Sequence, residues 1–204
     1  MISVEEALAR VLSLSPALPS ESVPLRSAAG RVLAKPVAAR LTQPPFPASA
    51  MDGYAIRDAD HVNGASLTVI GEAGAGHAFA GVLAPGQAVR IFTGAPVPEG
   101  ADRVVLQEDV TRVGDSITLT GSLESGTNIR PAGQDFREGD ILSAPRRLRP
   151  ADLALIASMN HPTVDVARKP IVAFLATGDE LVMPGETPRP DQIVASNSFA
   201  LAAL

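Results

Sequence analysis

The sequence predicts a mixed α/β chain, with a β-rich domain in its middle and a parallel-sheet domain beginning near the end. Three observations predict it. Apolar residues recur at helical spacing near the N-terminus, short β-branched runs broken by glycine fill the stretch from Ile56 to about Arg130, and 171–176 is an uninterrupted apolar run behind a linker. At 204 residues the chain is long enough to bury a core of its own. Aromatics make up only 3 %, against 17 glycines and 18 prolines, so that core is aliphatic and turns are frequent.

Composition also excludes several classes of function. The absence of cysteine rules out disulfides, thiolate metal sites and a cysteine nucleophile, and fits a reducing compartment. His61, His77 and His161 form no closely spaced pair, which argues against a histidine-built zinc site. A net charge of −5 with no basic run is the wrong electrostatic footprint for a nucleic-acid partner. No apolar stretch reaches the ~18–20 residues of a membrane span, and Glu5 and Glu6 stand where a signal peptide carries basic residues. The expectation is a soluble, cytoplasmic protein.

Ser3-Val4-Glu5-Glu6 has the pattern of a capping box and predicts a helix whose apolar face is Val4, Ala7, Leu8, Val11 and Leu12, ending before Pro16. Residues 24–34 read as strand, short turn, then strand or helix. Gln43-Pro44-Pro45-Phe46-Pro47 follows as an extended, stiff arm that delivers the Asp52-Gly53 turn, with Gly53 free to take a positive φ. The sole tyrosine, Tyr54, comes next. A preorganised loop and a plain crossover with Asp52 capping its own turn both fit these residues. Strands are predicted at 67–70, 88–92, 103–107 and 116–119, with Gly114-Asp115 as a turn. Gly71-x-x-Gly74-x-Gly76 resembles a phosphate loop only superficially, because no helix pattern follows, and it reads as turns.

A second helix begins at Pro150, placed where its missing N–H is no loss, with Leu153, Ile156, Ala157 and Met159 on its buried side. Arg146, Arg147 and Arg149 read as a solvated or subunit-facing edge rather than an anion site. Residues 162–167 alternate as a half-exposed strand, and Arg168-Lys169-Pro170 is a linker. The apolar run 171–176 predicts a strand buried on both faces, and Thr177-Gly178-Asp179-Glu180 is the polar turn at its carboxyl end, where open α/β sheets place ligands. A helix start at Ser196-Asn197-Ser198 closes the sequence, and Leu204 reads as a truncation point.

Four polar loops combine a hydroxyl or carboxylate with glycine: Asp52-Gly53-Tyr54, Thr93-Gly94-Ala95-Pro96, Gly133-Gln134-Asp135 and Thr177-Gly178-Asp179-Glu180. Singly each is a turn. In order, within Ala50-Met51-Asp52-Gly53-Tyr54-Ala55, Ile91-Phe92-Thr93-Gly94-Ala95-Pro96-Val97-Pro98-Glu99-Gly100-Ala101-Asp102 running to Gln107-Glu108, Asn128-Ile129-Arg130 with Gly133-Gln134-Asp135, and Leu175-Ala176-Thr177-Gly178-Asp179-Glu180-Leu181, they resemble the MoeA family. These are the molybdopterin molybdenumtransferases, found also as the carboxy-terminal domain of gephyrin. The resemblance is collinear across nearly the whole chain.

What the resemblance implies is a subunit of an elongated homodimer that inserts molybdate into the dithiolene of adenylylated molybdopterin and releases AMP. It implies a divalent cation, usually Mg2+, and a molybdopterin adenylyltransferase as the partner that supplies the substrate. The cleft would lie between the MogA-like third domain of one subunit and the β-rich second domain of the other. Carried over by motif, Asp52, Thr93, Asp135 and Glu180 are the catalytic residues, and Asp52 and Glu180 hold the cation. Thr177, Gly178, Asp179, Ser196 and Asn197 bind the pterin or its phosphate. Such chemistry suits oxygen ligands that hold a cation against phosphate oxygens, with a neutral hydroxyl beside them. Pro47-Ala48 departs from the family's Asp-Asn, and Gln134 from its glutamate. The family's glycine-rich loop, Lys-Pro-Gly-Lys segment and fourth domain would lie beyond Leu204, so the chain is expected to be inactive by itself.

The domain reading is 1–45 with 138–168 as a discontinuous first domain, 46–137 as the inserted β-rich domain, and 169–204 as an incomplete MogA-like third domain. It predicts that Leu8 and Leu12 pack near Leu153 and Ile156 or across a dimer axis. Two rival readings remain: a non-catalytic dimerisation or scaffolding module related to gephyrin, and a carboxylate-based hydrolase that turns over without any pterin.

Overall fold

The computed structural model describes residues 2–14, 17–121 and 125–203. Two compact units emerge, one made of Met1–Ser20 with Ala167–Leu204 and the other of Glu21–Val166. The fold is mixed α/β and rich in strand.

In the larger unit a six-stranded sheet runs in the spatial order Arg103–Leu106, Gly53–Ile56, Gln87–Ile91, Ser66–Ala73, Ser116–Leu119, Val110–Val113. Every neighbouring pair is antiparallel except Ser66–Ala73 with Gln87–Ile91, which is parallel. Successive side chains of the strand Gly53–Ile56 point to opposite faces and both faces are covered, so all four of its residues are buried. Tyr54 and Ile56 enter one cluster with Leu67, Val105, Ile117 and Leu119, while Ala55 enters another with Val89, Ile91 and Val104 on the opposite face. The strand itself was absent from the sequence reading, which treated Gly53 and Tyr54 as loop. Val110–Val113 was also missed, because three of its four residues are exposed and give no period-two signal.

A second core lies around a four-stranded sheet ordered Ser20–Pro24, Thr163–Ala167, Val32–Leu33, Arg146–Arg147. Leu33, Val37, Leu142, Leu148, Val164 and Val166 pack there against Ile156 of the helix Pro150–Ser158 and Met159 at its C-cap. That helix starts at its proline, and the Asp152 carboxylate accepts the Arg149 N–H at 2.8 Å, filling one of the orphan donors of the first turn. Arg146 bonds Asp152 at 3.1 Å along the outer strand, and Arg147 is exposed, as expected of an edge.

In the smaller unit the helix Val4–Ser13 carries the expected N-cap, with the Glu6 N–H donating to Ser3 Oγ at 3.1 Å. Pro16 lies outside the described residues. Within this unit the apolar face of the helix is open, Leu8 being 57 % and Leu12 61 % exposed. Leu181–Val182 and Ile193–Val194 form a parallel pair, followed by the helix Asn197–Ala203. The predicted strand at 171–176 is not one. Those residues are irregular and exposed, Ile171 reaching 98 %. A central parallel strand needs ladder partners on its edges and covers on both faces, and the described residues give 171–176 neither. Among the described residues no helix is long and apolar enough to cross a membrane.

Candidate active site

The arm before Asp52 is bent, not straight. The Gln43–Pro44 peptide is cis and residues 44–46 form bends, after which Ala48–Ser49 pairs with Ile129–Arg130. Ser49 is almost fully buried and fixes the next turn, its hydroxyl donating to the Met51 carbonyl at 2.6 Å. Ser49 also anchors the second polar loop: its N–H donates to the Ala95 carbonyl at 3.0 Å, and its own carbonyl accepts the Gly94 N–H at 2.8 Å. Gly94 sits at φ +80°, a conformation the turn assigns to glycine. Two loops about forty residues apart in sequence are thus laced together by backbone.

Their side chains meet. Asp52 Oδ1 accepts both the Thr93 N–H at 2.8 Å and the Thr93 hydroxyl at 2.7 Å. Asp52 Oδ2 has no hydrogen-bond partner among the described residues, and both side chains face solvent. The Thr93 N–H, then the Thr93 hydroxyl, and further off the Arg90 charge, hold the Asp52 carboxyl below its ordinary value, outweighing the opposing effect of burial. A depressed folded-state value means that the ionised form is favoured by folding. Its contribution to stability is present above the unfolded carboxylate range and is lost as pH falls through the folded value. The Asp52 carboxyl carbon, followed by NMR, should therefore titrate below an ordinary aspartate. In Thr93→Val, which keeps the larger N–H contribution and removes the hydroxyl, the midpoint should rise only part of the way back; an unchanged midpoint in that variant would contradict the pairing.

Gly53 departs from expectation in an instructive way. It is not among the glycines at positive φ. What demands glycine there is proximity, since a Cβ would fall on the Val105 carbonyl oxygen of the neighbouring strand.

Asp135 is engaged separately. Arg130 donates to both of its oxygens, at 2.6 and 2.9 Å, and its N–H donates to the Gln43 carbonyl at 3.0 Å. In the smaller unit Thr177, Ser196 and Asn197 line a cavity of about 410 Å³ together with Phe174, Leu175 and Leu201. Gly178, Asp179 and Glu180 are outside that lining. The Glu180 carboxylate folds back over Gly178, where a Cβ would lie 2.5 Å from Glu180 Oε2. The structure therefore brings together Asp52 with Thr93, and Thr177 with Ser196 and Asn197. No group of three or more histidine or carboxylate side chains suited to a metal occurs among the described residues.

Sequence reasoning passed over Arg90, Gln107 and Ser49. Arg90 donates to the Gly53 carbonyl at 3.1 Å and to Gln107 Oε1 at 2.6 Å, and the Gln107 N–H donates to the Asp52 carbonyl at 3.2 Å. The one signal available for Arg90 was a lone charge in the otherwise apolar run 88–92.

Comparison with known proteins agrees with the sequence motifs. A family model described as the MoeA N-terminal region, domains I and II, matches residues 2–160. A molybdopterin molybdenumtransferase of Nostoc is 40 % identical over 214 aligned residues, covering all of this chain and 49 % of its own length. One from Haemophilus influenzae is 37 % identical, covering all of this chain and 51 % of its own. The crystal structure of a molybdopterin biosynthesis MoeA protein from Pyrococcus horikoshii superposes over the whole chain with a TM-score of 0.89 at 35 % identity, 56 % of that protein being covered. This chain spans about half the length of the curated relatives it matches. The family model takes in three of the four motifs, the relatives and the superposed structure extend over the whole chain, and the chain belongs to the MoeA family.

Proposed function

We propose that this chain serves molybdenum cofactor biosynthesis, presenting one wall of a site at which molybdate is inserted into adenylylated molybdopterin with release of AMP. The observation that carries the reading is the Asp52–Thr93 pair, two motif side chains from separate loops joined on an exposed sheet end. Thr93 fixes one carboxylate oxygen and leaves Oδ2 directed to solvent, so the pair offers a preoriented anion beside a neutral hydroxyl. Mg2+ characteristically takes one or two carboxylates and completes its shell with water and substrate phosphates, which suits a single ionised Asp52 better than an all-protein cage. Bound there, the ion would neutralise charge on phosphate oxygens. Asp135, already paired with Arg130, would orient that guanidinium toward the substrate rather than ligate the ion.

Glu180 is proposed as a further ligand, and Thr177, Gly178, Asp179, Ser196 and Asn197 as the pterin or phosphate contacts; the cavity lined by Thr177, Ser196 and Asn197 supports the latter. The homodimer, the adenylyltransferase partner and a MogA-like identity for 169–204 belong to the same proposal. So does the insertion of 46–137 into a domain formed by 1–45 and 138–168, supported by the shared core of Leu33, Val37, Leu142 and Ile156. Residues 1–204 by themselves are proposed not to complete the reaction.

The test is molybdate-dependent AMP release from adenylylated molybdopterin by the protein that carries this chain. Release that requires both molybdate and Mg2+ supports the reading. Release from generic phosphoesters without any pterin would favour a carboxylate hydrolase, and no release under any condition would favour a scaffold.

A further inference from the structure

Arg90 lies at the centre of a small framework that no polar motif announces. It stands on the strand Gln87–Ile91, directly opposite Tyr54 on the adjacent strand. Its guanidinium carbon is 5.2 Å from the centroid of the Tyr54 ring and 4.7 Å from that of Phe92, so the planar cation is held against both rings. Two of its nitrogens reach different segments: one donates to the Gly53 carbonyl at 3.1 Å, the other to Gln107 Oε1 at 2.6 Å, in the 3-10 turn Gln107–Asp109 that follows the strand Arg103–Leu106. Gly53 follows Asp52 directly, Phe92 precedes Thr93, and the Gln107 N–H holds the Asp52 carbonyl at 3.2 Å. Gly53, Phe92 and Gln107 are each one residue from the Asp52–Thr93 pair or bonded to it, and Tyr54 is two residues from Asp52.

We infer that Arg90 is a positioning residue, a planar clamp across three strand ends that sets the distance between Asp52 and Thr93 without itself meeting substrate. The framework needs a guanidinium. A lysine ammonium keeps the charge but has no plane to lie against Tyr54 and Phe92 and no rigid fork to serve two acceptors at once. Gly53 is buried, so its carbonyl loses a donor when the fork is removed, whereas the exposed Gln107 amide can turn to water.

The effect on catalysis rests on the function proposed above, but the positioning itself does not, and the two are separated by measuring each. In the 204-residue chain without substrate, amide NMR of Arg90→Lys and Arg90→Met should show the Thr93 and Gly53 resonances displaced, while Ile117 and Leu119, on another part of the sheet, stay in place. Gln107→Ala, an exposed change that removes one acceptor, should displace the same resonances by less. In the protein that carries this chain, Arg90→Lys should lower kcat for AMP release by about 10- to 100-fold, as expected of a misplacement near 1 Å, with KM within about twofold. Undisturbed Thr93 and Gly53 resonances in both Arg90→Lys and Gln107→Ala would overturn the clamp. Displaced resonances with unchanged kcat would keep the clamp and overturn the role of the Asp52–Thr93 pair in the reaction.

Discussion

Gly53→Ala should lose about 2–3 kcal/mol of stability, a large effect for one methyl group. The added Cβ would occupy the position of the Val105 carbonyl oxygen, and the atoms it meets are backbone. Relief by side-chain rotation is therefore not available. Gly53 pairs with Ile91 on one side and Leu106 on the other, so moving either strand away breaks ladder hydrogen bonds of the six-stranded sheet. The expected result is a lower urea midpoint at unchanged slope. Gly30→Ala is the useful contrast: it has a positive φ and no heavy atom within 4 Å of its Cβ, so it incurs conformational strain alone. Equal midpoints for Gly53→Ala and the parent chain would remove close approach as the reason for this glycine.

On the proposed function, Asp52→Ala in the protein that carries this chain should lower the rate of molybdate insertion by about 10²–10³-fold, equivalent to the several kcal/mol expected of a carboxylate in the proposed cation-holding role. Stability should change little. The side chain is exposed, its partners Thr93 N–H and hydroxyl can turn to water, and the loops remain laced through Ser49. The measurement is AMP release per folded molecule beside a thermal melt. A lowered melting temperature with unchanged activity per folded molecule would make Asp52 a turn cap and nothing more, the plain reading its sequence context also allowed.

The elements set by local chemistry were legible in the sequence. Ser3 before Glu6 and Pro150 at a helix start act within one turn, and the strand 116–119 carries its own alternation. Elements decided by distant neighbours were not. Gly53 looks like a turn glycine because Asp-Gly favours turns, but Val105, fifty-two residues on, sets the requirement. The run 171–176 has the composition of a buried strand, and composition does not supply the ladder partners that make one. Tyr54 and Gly53 read as loop because a strand buried on both faces loses the alternation by which strands are recognised. The same limit governed the site. Order and spacing nominated Asp52 and Thr93, which the structure joins, but they also nominated Asp135 on equal terms, and only the fold reveals its pairing with Arg130. Arg90 was invisible for the complementary reason: its role lies in reaching across three strands, and a strand pattern records only the face it is on.

The most direct measurement of the central claim, that Asp52 and Thr93 act as one unit in molybdate insertion, is a double-mutant cycle on AMP release with Asp52→Ala, Thr93→Val and the two together. Residues that act as a unit are strongly non-additive. The double variant is predicted to be no slower than Asp52→Ala alone. Losses that multiply would show two independent side chains and contradict the account.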